Sequence, residues 1–428
     1  MKSSLKFPSL GAAVALAGLL LPGTSSAAGL HEAELIATAE SLRLPGGRRS
    51  HNHSPSIVQT PAGDLLACWF HGKGEREDNT MVAMGARKKK GARVWSAPFV
   101  MADFKGLPDQ NTTLFIDPQQ RLWLFRISSL DNEKRGHFLT YLISTDFEGD
   151  GPPRWKWQAP LFCAPQDLEK TYVAAVDRLL EAGRISPSRR EEFVVKKELA
   201  KDKLWHRLGW MPRTPPIMLN ERRMMLGLYS DVWDCSMMAF TEDAGETWEF
   251  SQPMIFSDSL LTKSIQPALL RKKNGNIVAF MRARPVVRRA ESIDGGMTWI
   301  EDPLDIRCPN TSVAALALKS GRWLLAVNDT TGGRNVLTAY LSADEGKTWP
   351  WKRAYEHIKP PQGSGDNSTP VQAGDERVDT RQGAAHYPTL IQAADGGIHI
   401  VYTYANAAEF EGNTIKHARF DEAWVMNK

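Results

Sequence analysis

The sequence predicts an all-β fold, a six-bladed β-propeller, and three observations carry that expectation. An eight-residue pattern recurs as Thr241 to Trp248, Ser292 to Trp299 and Ser342 to Trp349, with first residues 51 and 50 positions apart. That period suits one four-stranded blade per copy. A longer pattern, an apolar strand, a tight turn and a second apolar strand, occurs six times along the chain. Helical periodicity is confined to a single segment.

Each short pattern has a physical reading. Asp243, Asp294 and Asp344 stand where a carboxylate accepts from turn amides. Gly245, Gly296 and Gly346 supply the positive φ of a tight turn, and the closing Trp buries a large ring beneath it. A lone Asp-x-Gly turn is ordinary in any β protein; the near-constant period is what makes these informative.

The six hairpins run from Ser54 to Trp69, Asn111 to Phe125, Thr214 to Leu228, Gln266 to Phe280, Ser312 to Ala326 and Tyr387 to Val401. Their strands are apolar on both faces, as expected where every blade lies between two others. The segment from 166 to 208 departs from this pattern. Leu168, Tyr172, Val176, Leu179 and Leu180 follow helical spacing, and Gly183 with Ser186-Pro187 divides the segment into two helices inserted between blades two and three. Residues 360 to 381, rich in Gly, Pro, Gln and Asp, read as a long loop before the last blade.

Residues 1 to 28 read as a secretory signal, with Lys2 and Lys6 before an apolar run from Gly11 to Leu21 and a small-residue cleavage site ending at Ala28. The run is too short to span a bilayer, so residues 29–428 are expected as a secreted or periplasmic propeller without an integral membrane segment. Removal of the two lysines takes the formal charge from +4 to about +2, which gives no reason to invoke nucleic acid or an acidic membrane surface as a partner. The basic runs Arg87 to Lys90 and Arg271 to Lys273 read as solvated hairpin edges. Cys68, Cys163, Cys235 and Cys308 form no metal-type pair. One disulfide and buried free thiols both fit them.

Innermost strands of a propeller converge on its axis, so polar residues at their starts and at the ends of the second strands share one mouth. Candidates at strand starts are His51, Asn52, His53, Asn111, Gln266, Asn310, His386 and Tyr387. Those at second-strand ends are Arg126, Tyr229, Asp231, Arg282, Arg284, Asn328 and Asp329. Any single one is more simply a strand cap; their recurrence at one level of the blades points to a site. His51 and His53 project to the same side of an extended segment, but no third metal ligand is identifiable from spacing, and neither metal nor cofactor is expected.

With these motifs the chain resembles the sialidase superfamily, specifically secreted bacterial sialidase-like proteins with BNR/Asp-box repeats, over roughly residues 50 to 425. The resemblance implies a sialidase-type propeller and an arginine triad for the substrate carboxylate. Arg282, seven residues after the turn Gly275, matches the second triad arginine, and Arg334, eight residues before Ser342, matches the third. The first is replaced by His53 in Asn52-His53-Ser54-Pro55. Tyr387 falls at the nucleophilic tyrosine, its activating glutamate is replaced by Gln266, and the aspartate acid fits Asp78, with Glu75 as the alternative.

Histidine loses the fork that suits a carboxylate, and glutamine cannot take a proton. These departures argue against ordinary sialic acid hydrolysis and leave three readings. The first is a glycoside hydrolase on another acidic or substituted glycan, with Tyr387, Asp78, His53 and Gln266 as the catalytic set and Arg282, Arg334, Asn111, Asn310, Arg126 and His386 binding substrate. The second is a polysaccharide lyase or histidine-dependent glycosidase on the same scaffold, and the third a non-catalytic glycan-binding propeller.

Overall fold

The computed structural model describes residues 29, 31–38, 41–44, 50–75, 79–131, 133–359, 383–406, 408–409 and 412–427. The expected signal peptide, Asp78 and the whole of the expected loop from 360 to 381 lie outside these residues.

Six antiparallel sheets follow one another along the chain, as the six hairpins require. Blade one comprises His51–Gln59, Leu65–Gly72, Val82–Lys88 and Phe99–Ala102. Blade two comprises Asp109–Ile116, Leu122–Ser129, His137–Ser144 and Trp157–Leu161. In blade three the first strand is split into Met211–Pro212 and Ile217–Met218, because Pro215 and Pro216 cannot donate to the ladder. Both pieces pair with Met224–Ser230, followed by Cys235–Thr241 and Glu249–Phe250. Blades four and five run from Ile265–Arg271 to Ile300–Glu301 and from Ala314–Ala317 to Trp351–His357.

Blade six is completed from the other end of the chain. His31–Leu35 pairs with Thr414–Phe420 outside Ile398–Ala405 and Ala384–Gln392. No pattern in the sequence marked this closing strand, which is short and largely exposed. Glu34 on it accepts from His417 Nδ1 at 2.9 Å and Lys88 Nζ at 2.6 Å, tying blade six to blade one. Burial opposes its ionisation, yet these two donors outweigh burial and hold its pKa at about 2.

The apolar core is divided into six clusters, one at each seam between neighbouring blades. This is why strands such as Leu122–Ser129 are buried on both faces. Trp69 and Trp123 are fully buried in two of these seams, each ring contributing roughly 3 kcal/mol of apolar burial.

The repeated turns close the seams at the end of each third strand. Gly245, Gly296 and Gly346 have φ of +89°, +95° and +79°, and a Cβ there would lie 2.9 Å from Tyr141, 2.3 Å from Met225 and 3.1 Å from Trp323 respectively. Only glycine meets both demands. Thr247 N and Thr348 N donate to Asp243 and Asp344 at 2.9 Å, and Thr298 N to Asp294 at 3.0 Å.

The insertion forms three helices rather than two, α1 (Leu168–Glu181), α2 (Pro187–Leu199) and the short α3 (Lys203–Arg207). Leu168, Tyr172, Val176, Leu179 and Phe193 join the cluster of blades two and three, with Tyr172 set edge-on to Trp233 at 5.1 Å. Among the described residues no helix is long and apolar enough to cross a membrane. All four cysteines are buried and free. The first basic run is not simply a solvated edge: Arg87 is buried, 3.6 Å from Asp64, and donates Nη2 to Phe147 O at 2.6 Å, because its position falls in the seam between blades one and two.

Candidate active site at the propeller axis

A bulge in the innermost strand builds the site. Ladder pairing slips between His53 and Ser56, Gln110 and Thr113, Ile265 and Ala268, and His386 and Thr389. The residue at the slip is left-handed each time: Ser54, Asn111, Gln266 and Tyr387 have φ of 54°, 47°, 58° and 58°, and Asn310 before the blade-five strand has 61°. Side chains rarely accept this conformation, which costs on the order of 1–2 kcal/mol per residue. A bulge re-aims a side chain that would otherwise alternate with its neighbours, and here it recurs in blades one, two, four and six.

Tyr387 is the hub. Its hydroxyl accepts from Arg282 Nη1 at 2.9 Å and Gln266 Nε2 at 3.4 Å. Arg282 Nε donates in turn to Asn310 Oδ1 at 2.9 Å. The His53 and His386 rings lie 4.1 Å and 5.3 Å from the Tyr387 ring, and the Arg334 guanidinium lies 5.7 Å from its centroid. Asn111 donates to Tyr229 Oη at 2.8 Å, and Tyr229 is buried beside the hub. The Gln266 carbonyl oxygen is buried with no partner among the described residues.

The structure therefore brings together Tyr387, His53, Gln266, Arg282, Arg334, Asn310 and His386, with Asn111 reaching Tyr229 beside them. Arg126 is engaged elsewhere: it is buried and bonds Asp109 at 2.5 Å, while Ser128 donates to the same carboxylate at 2.9 Å. Burial pushes the Asp109 carboxyl up to about 6 against the pull of Arg126. Asn328 braces backbone, donating to Val336 O and Ala385 O at 2.8 Å. Asp231 sits 3.2 Å from Lys134 Nζ and 3.8 Å from Lys263 Nζ. His51 Nε2 lies 3.8 Å from Glu75 at the start of the loop that leads to Asp78.

Electrostatics set the state of the histidines. Burial first, then His386, His51, Arg334 and Arg213, pull His53 well below the ordinary imidazole pKa. Burial first, then Arg334, His51, Arg213 and Arg282, act in the same direction on His386. Arg334 Nη1 lies 3.2 Å from His386 Nδ1, and a guanidinium has no acceptor, so Nδ1 must accept and His386 is neutral with its proton on Nε2. His53 Nδ1 meets Thr403 Oγ1 at 3.0 Å. His51 and His53 lie 5.4 Å apart, and among the described residues no group of three or more His, Cys, Asp or Glu could hold a metal ion.

One residue at the hub was missed by sequence reasoning. Arg213 is buried, with its guanidinium 5.0 Å from the Tyr387 ring centroid and bonded to Pro388 O at 3.0 Å and Thr389 Oγ1 at 3.2 Å. A signal existed: it immediately precedes Thr214, the first residue of the blade-three hairpin, as His53 precedes Ser54 and His386 precedes Tyr387.

Solved structures share this architecture at low identity. A protein of unknown function from Dyadobacter fermentans superposes with a TM-score of 0.62 at 15% identity, covering 91% of this chain and 98% of that one. The Hadza microbial sialidase Hz136 gives 0.62 at 14%, covering 92% and 69%. The leech intramolecular trans-sialidase, solved with 2,7-anhydro-Neu5Ac, gives 0.61 at 11%, covering 92% and 71%. No curated protein matches the chain. The BNR repeat-like domain matches residues 63–400, most of the chain and nearly all of the propeller, and the protein therefore belongs to the BNR repeat-like, sialidase-like superfamily.

Proposed function

We propose that this chain is an exported glycoside hydrolase of the sialidase type that cleaves a glycan carrying a carboxylate, with Tyr387 as its nucleophile. The observation that carries the reading is a single phenol oxygen bonded by Arg282, with two further guanidinium groups, Arg334 and Arg213, over its ring. Guanidinium forks suit a carboxylate, and Arg282 and Arg334 hold it in this reading.

The Tyr387 oxygen attacks the anomeric carbon while the bond to the leaving oxygen breaks. The leaving oxygen takes a proton from Asp78 or Glu75 on the loop after blade one's second strand. Gln266 orients the phenol but cannot accept its proton, so that proton passes to neutral His53. When Nδ1 of His53 donates to Thr403, Nε2 keeps the lone pair that a base needs. The bound carboxylate offsets the surrounding cations and raises the basicity of His53 when the proton must move. Water then attacks the anomeric carbon and returns a proton to the loop carboxylate, and Tyr387 recovers its own from His53.

The test is product analysis of the mature chain on a panel of sialosides, hexuronides and uronate-containing polymers. Saturated reducing sugars from an acidic glycoside support hydrolysis; failure on every acidic glycoside rejects it. A second reading, β-elimination beside a uronate carboxylate, is favoured by one feature, neutral histidines in contact with the cluster in place of a carboxylate base. Ultraviolet absorbance of an unsaturated uronate product would replace the first reading with the second. Mass spectrometry of the exported chain tests cleavage after Ala28.

A further inference from the structure

Three arginines gather at Tyr387, yet the sialidase-like pattern in the sequence supplies only Arg282 and Arg334. The third comes from blade three. Arg213, His53 and His386 occupy equivalent places, each immediately before the residue that opens a blade hairpin. The split first strand of blade three makes this possible. Met211–Pro212 ends just before Arg213 and the ladder resumes only at Ile217, so residues 213–216 are free of pairing with the second strand.

The environment of Arg213 is unusual for a guanidinium. It is 1% exposed and forms no salt bridge with any carboxylate among the described residues. Nη1 and Nη2 donate to Thr389 Oγ1 and Pro388 O, the two residues after the left-handed Tyr387, and Thr389 passes a bond on to Pro55 O at 2.8 Å. Nε is buried without a partner among the described residues. A buried cation lacking a counter-ion is costly, and burial lowers its pKa to about 10. Such a group persists in a fold where a ligand or a function repays it.

We propose that Arg213 is the positioning residue of Tyr387 and the resident third cation of the cluster: it clamps the bulge that aims the phenol and lays a permanent charge against the phenol ring. This deepens the reading above and rests on Tyr387 being the reacting group. The clamp fixes the ring through the carbonyl of Pro388, and the charge makes the axis attractive to an anion although blade one offers His53 instead of an arginine. The same charge helps keep both histidines neutral. His53 faces His51, His386, Tyr387, Arg334 and Arg213; His386 faces His53, His51, Tyr387, Arg334, Arg213 and Arg282.

The test separates clamp from charge in the full chain. Arg213→Met removes both, Arg213→Lys keeps a charge without the two-pronged clamp, and Thr389→Val removes one clamp acceptor while leaving Arg213. Histidine titrations followed by NMR, with His53→Gln and His386→Gln spectra for assignment, need no turnover. Arg213→Met should raise the His53 and His386 midpoints by on the order of one pH unit, with Arg213→Lys near the unaltered values. On an acidic glycoside that the unaltered chain cleaves, Arg213→Lys and Thr389→Val should lower kcat by roughly tenfold with little change in KM, and Arg213→Met should also raise KM. Folded Arg213→Met with unmoved histidine midpoints overturns the charge role, and Thr389→Val together with Arg213→Lys at full kcat overturns the clamp. Absence of turnover by the unaltered chain counts against the hydrolase reading alone, since the titrations still decide the charge role.

Discussion

The two ends of the propeller use the same repeats in opposite ways. At the end that carries the turn motifs, equivalent positions hold equivalent residues: Asp243, Asp294 and Asp344 accept the same Thr amide, and Gly245, Gly296 and Gly346 share one conformation. At the axial end the backbone repeats but the side chains do not. Ser54, Asn111, Gln266, Asn310 and Tyr387 share a left-handed φ and little else. Repetition at the first end seals seams; at the second it supplies equivalent mounting points, each loaded with a different functional group. Stability and chemistry should therefore separate cleanly between the two ends.

The largest expected effect lies at the axis. Tyr387→Phe should lower kcat/KM by about 10³-fold or more, because it deletes the proposed nucleophile while preserving the buried ring. Glycan binding should survive, and thermal stability should move little. Turnover unchanged by this substitution would remove Tyr387 from the chemistry and the comparison with it. Arg282→Ala comes next. It loses a charge-assisted contact in a desolvated site, worth about 3 kcal/mol, and should weaken capture of an acidic glycoside by about 10²-fold. An equal loss for a neutral glycoside would show that Arg282 supports the fold rather than the carboxylate.

Legibility followed the same division. The turn motifs and the six hairpins could be read because each needs particular residues at fixed spacing, and two of the three insertion helices because apolar residues such as Leu168, Tyr172 and Val176 face one core. The closing strand His31–Leu35 could not be read: its pattern is polar and its partner lies at the far end of the chain. At the axis Arg282 and Arg334 were singled out by offset from turn landmarks, and Tyr387 by its place at the start of the sixth hairpin. Arg213 was missed although it stands in the place of His53 and His386, because Pro215 and Pro216 break the strand that follows it and mask the equivalence. Arg126 was over-read: a second-strand arginine is equally suited to a buried pair with Asp109.

A pH series sharpens the contrast without mutation. An imidazole titrating at its ordinary value would lose about tenfold of its neutral form between pH 7 and 5.5. His53 and His386 titrate well below that value, so kcat/KM on an acidic glycoside whose own charge is constant should fall by less than about twofold over this interval. Stability moves the other way. A histidine whose folded pKa is depressed binds protons better when unfolded, so stability is complete above the unfolded pKa and declines as pH falls below it. Scanning calorimetry should show a falling Tm where activity is nearly flat. A tenfold activity loss would mean that at least one of these imidazoles becomes charged over this interval.

Asp294→Ala should have the smallest effect on chemistry. The carboxylate accepts from Ser292 Oγ at 2.7 Å, Met297 N at 3.1 Å and Thr298 N at 3.0 Å, so alanine leaves turn amides to water and loosens the approach of Gly296 to Met225 across the blade-three seam. Burial is the largest single influence and opposes its ionisation, but the bonds from Thr298, Ser292 and Met297 together outweigh it and hold its pKa below the usual aspartate value. The stabilisation is therefore present above the unfolded pKa and is lost as pH falls through the lower folded one. Removing the carboxylate should cost roughly 1–2 kcal/mol in denaturant unfolding at pH 7, with kcat/KM within about twofold of the unaltered chain. Should kcat/KM collapse while stability holds, the two ends would be coupled through the blade, and the separation of seam from site would be the idea to abandon.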